Sequence, residues 1–151
     1  MSECPRTILL IEDDPNDVLF MKTAFEAVGL QNPVREVADG KQAMAYFAGT
    51  GPYADRHKYP LPYLVLMDLK LPYLMGLDLL KWVRERREFD SIMVVVLSAS
   101  ANPKDVDAAY RLGANGYLMK TSRFDTLKAM VQALNDYWLV HNRAGSAFAE
   151  A

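Results

Sequence analysis

The chain has 151 residues, 51% of them hydrophobic, which suffices for one domain with a full core and no covalent staples. Seventeen basic residues face 19 acidic ones, for a net charge of -2, and this balance argues against nucleic-acid binding through a broadly basic surface. A single cysteine, Cys4, excludes an internal disulfide and suits a reducing compartment. The first six residues lack the apolar stretch of a signal peptide. Nowhere is there an apolar run of roughly 18 residues, the length needed to cross a bilayer. A cytoplasmic protein with no membrane segment is therefore expected.

In chain order, the first apolar run is Ile8–Ile11, ending in Glu12-Asp13-Asp14. Its lack of alternation suits a parallel strand buried on both faces. Asp14-Pro15 reads as a helix cap and first turn, with Val18, Met21, Phe25 and Val28 at helical spacing and Gly29 as a stop. Val34–Val37 is a weaker strand, and 41–48 a short helix. Residues 49–62, rich in Gly, Pro and Tyr, form an unusually long connection. A third strand covers 64–67 and ends in Asp68. The next helix starts near Gly76 and carries Leu77, Leu80, Trp82 and Val83. A strand over 92–97 ends in Ser98, and Pro103 opens a helix that stops near Gly113. Tyr117-Leu118-Met119 is the last strand, ending in Lys120. A longer helix follows with Leu127, Met130, Val131, Leu134 and Trp138. Residues 6–140 are expected to form one domain, and 141–151 a flexible tail.

This β-α order, repeated five times, predicts an α/β fold with a parallel sheet covered by helices on both faces. In such sheets ligands bind beyond the carboxyl ends of the strands. The acidic residues 12–14, Asp68, Ser98 and Lys120 should therefore converge. Clustered carboxylates raise one another's pKa and call for positive charge. Lys120 supplies one charge, and Mg²⁺, which prefers oxygen ligands, is the natural second. Carboxylates, a hydroxyl, an ammonium and Mg²⁺ together suit a phosphoryl group, and a carboxylate can itself be the nucleophile. Asp68 is the candidate acceptor, and Glu12 and Asp13 the candidate metal ligands beside it. Asp14 is assigned to capping instead.

At these positions the sequence resembles bacterial response-regulator receiver domains, over roughly Arg6 to Val140. Glu12-Asp13 is similar to the family's acidic pair and Asp68 to its phosphoacceptor. Pro72 and Gly76 stand four and eight residues after that Asp, as the family has them. Ser98-Ala99 resembles the switch hydroxyl and its small neighbour, and Gly116 to Lys120 the strand bearing the switch aromatic, here Tyr117, and the lysine. The resemblance implies a five-stranded flavodoxin-like sheet of order 2-1-3-4-5. It further implies a two-component regulator, not a turnover enzyme, that takes a phosphoryl group from a histidine kinase onto Asp68 with Mg²⁺. The metal would be held by Glu12, Asp13, Asp68 and the Lys70 backbone carbonyl. Ser98 and Tyr117 would then reset the surface of the fourth helix, fifth strand and fifth helix. Lys120-Thr121-Ser122-Arg123, the segment Gly51-Pro52-Tyr53 and the Tyr137-Trp138-Leu139 helix end are similar to the single-domain regulators paired with cyanobacterial and bacterial phytochromes. Three departures stand out: Thr121 in place of the usual proline, Lys70 near the phosphate, and Met75 where Asp is often found.

Singly, each residue has a plainer reading: Asp68 as a turn residue, Glu12 and Asp13 as helix-dipole charges, Ser98 as a backbone partner, Lys120 as a snorkelling side chain and Tyr117 as core. His57 and His141 have no metal-ligand spacing and are expected on the surface. Trp138 should pack in the core, or bury against a second subunit if its helix runs past the domain edge. A homodimer through the fifth-helix region is expected, with no DNA-binding segment. A phosphohydrolase working through an aspartyl phosphate is the alternative, but Leu66 and Lys70 stand where its acid-base Asp is needed. A nucleotide or flavin site is disfavoured because the first strand leads into acidic residues and no glycine-rich loop.

Overall fold

Ten elements alternate strictly: β1 (Ile8–Ile11), α1 (Pro15–Ala27), β2 (Val34–Val37), α2 (Gly40–Ala48), β3 (Leu64–Met67), α3 (Gly76–Arg84), β4 (Met93–Ser98), α4 (Pro103–Arg111), β5 (Gly116–Met119) and α5 (Phe124–Leu134). This computed structural model describes residues 6–145 and Phe148; Cys4, residues 146–147 and residues 149–151 lie outside the described residues. The five strands form one parallel sheet of order β2-β1-β3-β4-β5.

Why β1 and β3 are unbroken apolar runs is plain from their burial: every residue in both is covered. Leu9, Ile11, Val65, Met67, Val94 and Val96 face a core layer with Phe47 of α2 and Leu79, Leu80 and Val83 of α3. Ile8, Leu10, Leu64, Leu66, Val95 and Leu97 face the opposite layer, closed by Met21, Ala24 and Phe25 of α1 and Leu127, Val131 and Leu134 of α5. Period-2 alternation thus sends apolar side chains to both sides, and no polar position is left within the central strands.

Local chemistry ends the helices where expected. The Asp14 side chain accepts from the Asn16 N–H, Pro15 opens α1, and Gly29 leaves it at φ 72°. Asp39 caps α2, so that helix begins one residue earlier than its apolar pattern indicates. The strand expected over 92–97 runs from Met93 to Ser98 instead, because the 3-10 turn Arg87–Phe89 keeps Ile92 in a turn hydrogen bond to the Phe89 carbonyl.

Two segments differ more from their sequence patterns. The long connection 49–62 is built around Arg56, whose guanidinium donates to the carbonyls of Tyr46, Phe47 and Tyr59 at 2.6–3.1 Å. Beside it Tyr59 packs edge to face against both Tyr46 and Tyr53, which are tilted against each other. The last helix does not continue as α through Trp138: α5 stops at Leu134 and the chain widens into a π turn over Asn135–His141. Arg6 reaches the carbonyls of Leu139 and Asn142, and the Asn142 amide donates to the Tyr63 hydroxyl at 2.6 Å, tethering that wider turn to the base of the sheet. Trp138 is half-buried against the α1–α5 layer. Of the segment beyond 140, Phe148 stacks edge-on against Tyr63 with ring centres 5.3 Å apart.

Candidate functional site

Strand register places the site. Ile11 pairs with Met67 and with Val37, so Glu12 and Asp68 leave neighbouring strands at the same level. The Asp68 N–H donates to the Ile11 carbonyl, 3.1 Å, which extends the pairing one residue into the site. Ser98 pairs with Met119, and the Lys120 N–H donates to the Ser98 carbonyl at 2.7 Å. Four strand ends therefore deliver Glu12, Asp68, Ser98 and Lys120 to one edge, as the topology requires.

There, Glu12 and Asp68 are buried and Asp13 is exposed. One oxygen from each of the three carboxylates lies within 4.8 Å of the others. Among the described residues this is the one group of three or more His, Cys, Asp or Glu side chains so arranged; His57 and His141 are on the surface and outside it. Hard oxygen donors, two of them desolvated, fit a divalent cation of the Mg²⁺ or Mn²⁺ kind rather than a soft metal.

Lys120 crosses from β5 to the same cluster. Its Nζ donates to Glu12 at 2.7 Å, to Asp17 at 2.9 Å and to Asp68 at 2.9 Å. Burial pushes the Glu12 carboxyl above its ordinary value, against the hydrogen bonds from Lys120 and the Asp14 N–H, while the Asp68 charge adds to the rise. For Lys120, burial is the largest single influence and pulls the ammonium down. The hydrogen bonds to Glu12, Asp68 and Asp17 together outweigh it, so the group ends above the usual lysine range.

Around this cluster the loops are tightly drawn. The Lys70 N–H donates to Asp68 Oδ1 at 3.3 Å, while the Lys70 side chain is exposed. Gly76 lets α3 start against the Asp68-Leu69 backbone: a Cβ there would stand 2.8 Å from Leu69 Cα and closer still to the Asp68 carbonyl oxygen. Met75, exposed, sits at the N-cap of α3 and gives it no side-chain cap. Thr121 Oγ1 accepts from the Arg123 N–H, and no described peptide bond is cis.

Ser98 is buried, and its Oγ accepts from the Ser100 N–H at 3.0 Å. Tyr117 is half-buried, and its hydroxyl donates to the Ser100 carbonyl at 2.7 Å. The Ser100 hydroxyl in turn donates to Asp105 in the first turn of α4, at 2.5 Å. The β4–α4 loop therefore ties the hydroxyl at the site to the aromatic ring of β5 through one residue.

Asp17 and Ser100 escape a reading of the sequence. Asp17 follows the Asp14 cap by three residues, where an acidic side chain ordinarily faces the helix dipole. Only the structure shows that Glu12 takes the Asp14 N–H, 3.1 Å, and so leaves the Asp17 carboxylate free for another partner.

Residues 8–132 match the family described as the response regulator receiver domain. The chain is 34% identical over 146 residues to the probable methanogenesis regulatory protein FilR2 of Methanothrix harundinacea, covering 95% of this chain and 90% of that one. It is 34% identical over 138 residues to the response regulator Rcp1 of Synechocystis, covering 91% and 92% of the two. The Mn²⁺-bound structure of Rcp1 superposes with a TM-score of 0.83 at 32% identity, over 94% of this chain and 100% of that one. The phosphorylated cyanobacterial phytochrome response regulator RcpA gives 0.86 at 31% identity, over 95% and 100%.

Proposed function

The chain belongs to the response regulator receiver family, and from that premise we propose that Asp68 accepts a phosphoryl group from a histidine kinase and that the protein switches a protein-binding surface in response. The observation that carries this is the convergence of Glu12, Asp13, Asp68 and the Lys120 ammonium at one strand edge.

In this reading Glu12, Asp13, Asp68 and the Lys70 backbone carbonyl would hold Mg²⁺, and the Mn²⁺-bound form of the relative Rcp1 supports a divalent cation here. The bound cation would neutralise carboxylate and phosphoryl charge. An Asp68 oxygen attacks phosphorus in line; the new O–P bond forms as the P–N bond to the kinase histidine breaks, and the electron pair leaves with the imidazole. Lys120 donates to a phosphoryl oxygen. Ser98 turns its hydroxyl to another, which removes the acceptor of the Ser100 N–H. Because Tyr117 hangs from the Ser100 carbonyl, the loop and ring move together. Apart from this self-modification the protein carries signals and turns over no substrate. The phosphohydrolase alternative lacks support: Leu66 is buried in the core and Lys70 is a cation.

Membership of the receiver family supports a cytoplasmic site of action; among the described residues no helix is long and apolar enough to cross a membrane. Similarity to Rcp1 and RcpA supports a phytochrome-type kinase as the phosphodonor. Output through protein contacts, without DNA, fits an apolar groove between β5 and α5 lined by Leu118, Met130, Tyr137 and Trp138. Tyr137, which lines that groove, is exposed, as is Met119 of β5, which supports a homodimer there. Light scattering that finds only monomer, with and without phosphorylation, removes the dimer. For the phosphoryl transfer itself, intact mass after incubation with acetyl phosphate and Mg²⁺ should rise by one phosphoryl group in the wild type and not in Asp68→Asn. Equal labelling of the two would overturn the reading.

A further inference from the structure

An ammonium has three N–H donors, and Lys120 has engaged all of them: Glu12, Asp17 and Asp68 each accept one. A phosphoryl oxygen can therefore gain a Lys120 hydrogen bond only by displacing a carboxylate. The three acceptors are unequal. The Glu12 side chain is 4% exposed, and its other oxygen is held by the Asp14 N–H. The Asp68 side chain is 10% exposed and belongs to the reacting group itself. Asp17 is 41% exposed and borders an open groove lined by Asn16, Phe20, Thr121 and Ser122, so it returns to water at little cost.

Local structure aims Asp17 at the lysine. It is the third residue of α1, where a capping box would turn its carboxylate back onto the cap N–H. Glu12 has taken that N–H, so Asp17 faces Lys120 instead. It is not among the three carboxylates whose oxygens gather within metal-ligating reach.

Resting on the assignment of Asp68 as phosphoacceptor, we infer that Asp17 is a positioning residue that competes with the phosphoryl group for Lys120, holding the lysine in the unmodified protein and releasing it on phosphorylation. Its charge opposes modification twice: it occupies a donor that the phosphoryl oxygen needs, and it repels an anionic phosphodonor. The competition makes the acyl phosphate slower to form and less tightly held than Lys120 alone would allow.

The test compares wild type, Asp17→Asn and Asp17→Glu in two assays. One is the rate of Asp68 phosphorylation by acetyl phosphate with Mg²⁺, followed by intact mass. The other is the calorimetric affinity for beryllofluoride, a mimic of the aspartyl phosphate, in the presence of Mg²⁺. Asp17→Asn should speed the first and tighten the second by about two- to fivefold, the size that a half-exposed ion pair implies. Asp17→Glu should bring both back toward wild type. A merely structural role does not produce a gain, since a loosened site binds its ligand less well. Unchanged or weaker values for Asp17→Asn overturn the inference. So does a loss of about tenfold in affinity for Mg²⁺ alone, which makes Asp17 a metal ligand. If wild-type Asp68 takes up phosphoryl and Asp17→Asn does not differ, this inference alone fails. If wild type takes up none, the assignment of Asp68 fails first.

Discussion

Replacing Lys120 with methionine keeps much of the side-chain volume and removes the charge that three carboxylates share. Glu12 and Asp68 are buried, with side chains 4% and 10% exposed, and each loses a hydrogen bond of 2.7 or 2.9 Å. Breaking a buried ion pair from one side costs about 3–5 kcal/mol, whereas the half-exposed Asp17 adds little. Because the Lys120 side chain is itself 21% exposed, a loss near the lower end, about 2–4 kcal/mol at pH 7, is expected. The pH dependence follows from the signs. The wild-type ammonium is raised above its unfolded value, so its stabilisation is present below about pH 10.5 and fades only as pH rises through the folded value. Glu12 is also raised, so ionising it disfavours folding as pH rises through its folded value above 4.5. Without Lys120, Glu12 rises further, and the deficit of the variant should shrink as pH falls from 7 toward 5. Urea denaturation of both proteins across that range, at unchanged m, measures this. Mg²⁺ should recover stability in the variant more than in wild type, because the cation replaces the missing charge. A variant as stable as wild type at pH 7, or a deficit that grows on acidification, would show that Lys120 does not stabilise the buried carboxylates.

Other substitutions separate the parts of the site. Asp13→Asn, at an exposed position, should leave the unfolding temperature almost unchanged yet weaken Mg²⁺ binding by about tenfold or more in a calorimetric titration. Gly76→Ala forces a Cβ into the Asp68-Leu69 backbone and should cost about 1–3 kcal/mol, or roughly 2–4 °C of melting temperature per kcal/mol. Tyr46→Phe removes the donor to the Pro60 carbonyl, 2.8 Å, in a fully buried position, and should cost about 1–3 kcal/mol in urea denaturation without altering phosphorylation.

Much of this site is legible in the sequence because a doubly covered parallel strand tolerates no polar residue until it ends. The first polar residue after each unbroken apolar run, at Glu12, Asp68 and Lys120, therefore marks the edge of the sheet, and register does the rest. Ser98 obeys the same rule, though it is itself the last residue of β4. Asp17 was not legible, because an acid in the first turn of a helix already has a sufficient local explanation. Only the tertiary crossing of Lys120 from β5 gives it another partner. The hub at Ser100 is hidden for a similar reason: two of its four contacts use its own backbone atoms, which sequence does not distinguish. The connection 49–62 looks like a loose loop by composition, yet the single Arg56 orders it through three carbonyls. The apolar spacing that runs to Trp138 is equally compatible with the π turn that closes α5, and the choice between them lies in the distant tethers of Arg6 and Tyr63.

Asp68, and no other group in this cluster, is proposed to carry the phosphoryl. Phosphorylation by acetyl phosphate with Mg²⁺, followed by borohydride reduction, converts an aspartyl phosphate into homoserine, which peptide sequencing by mass spectrometry locates. Homoserine is expected at position 68, with Glu12, Asp13 and Asp17 unmodified. Reduction at any of those three, or a stable phosphate on Ser98 with Asp68 intact, would contradict it.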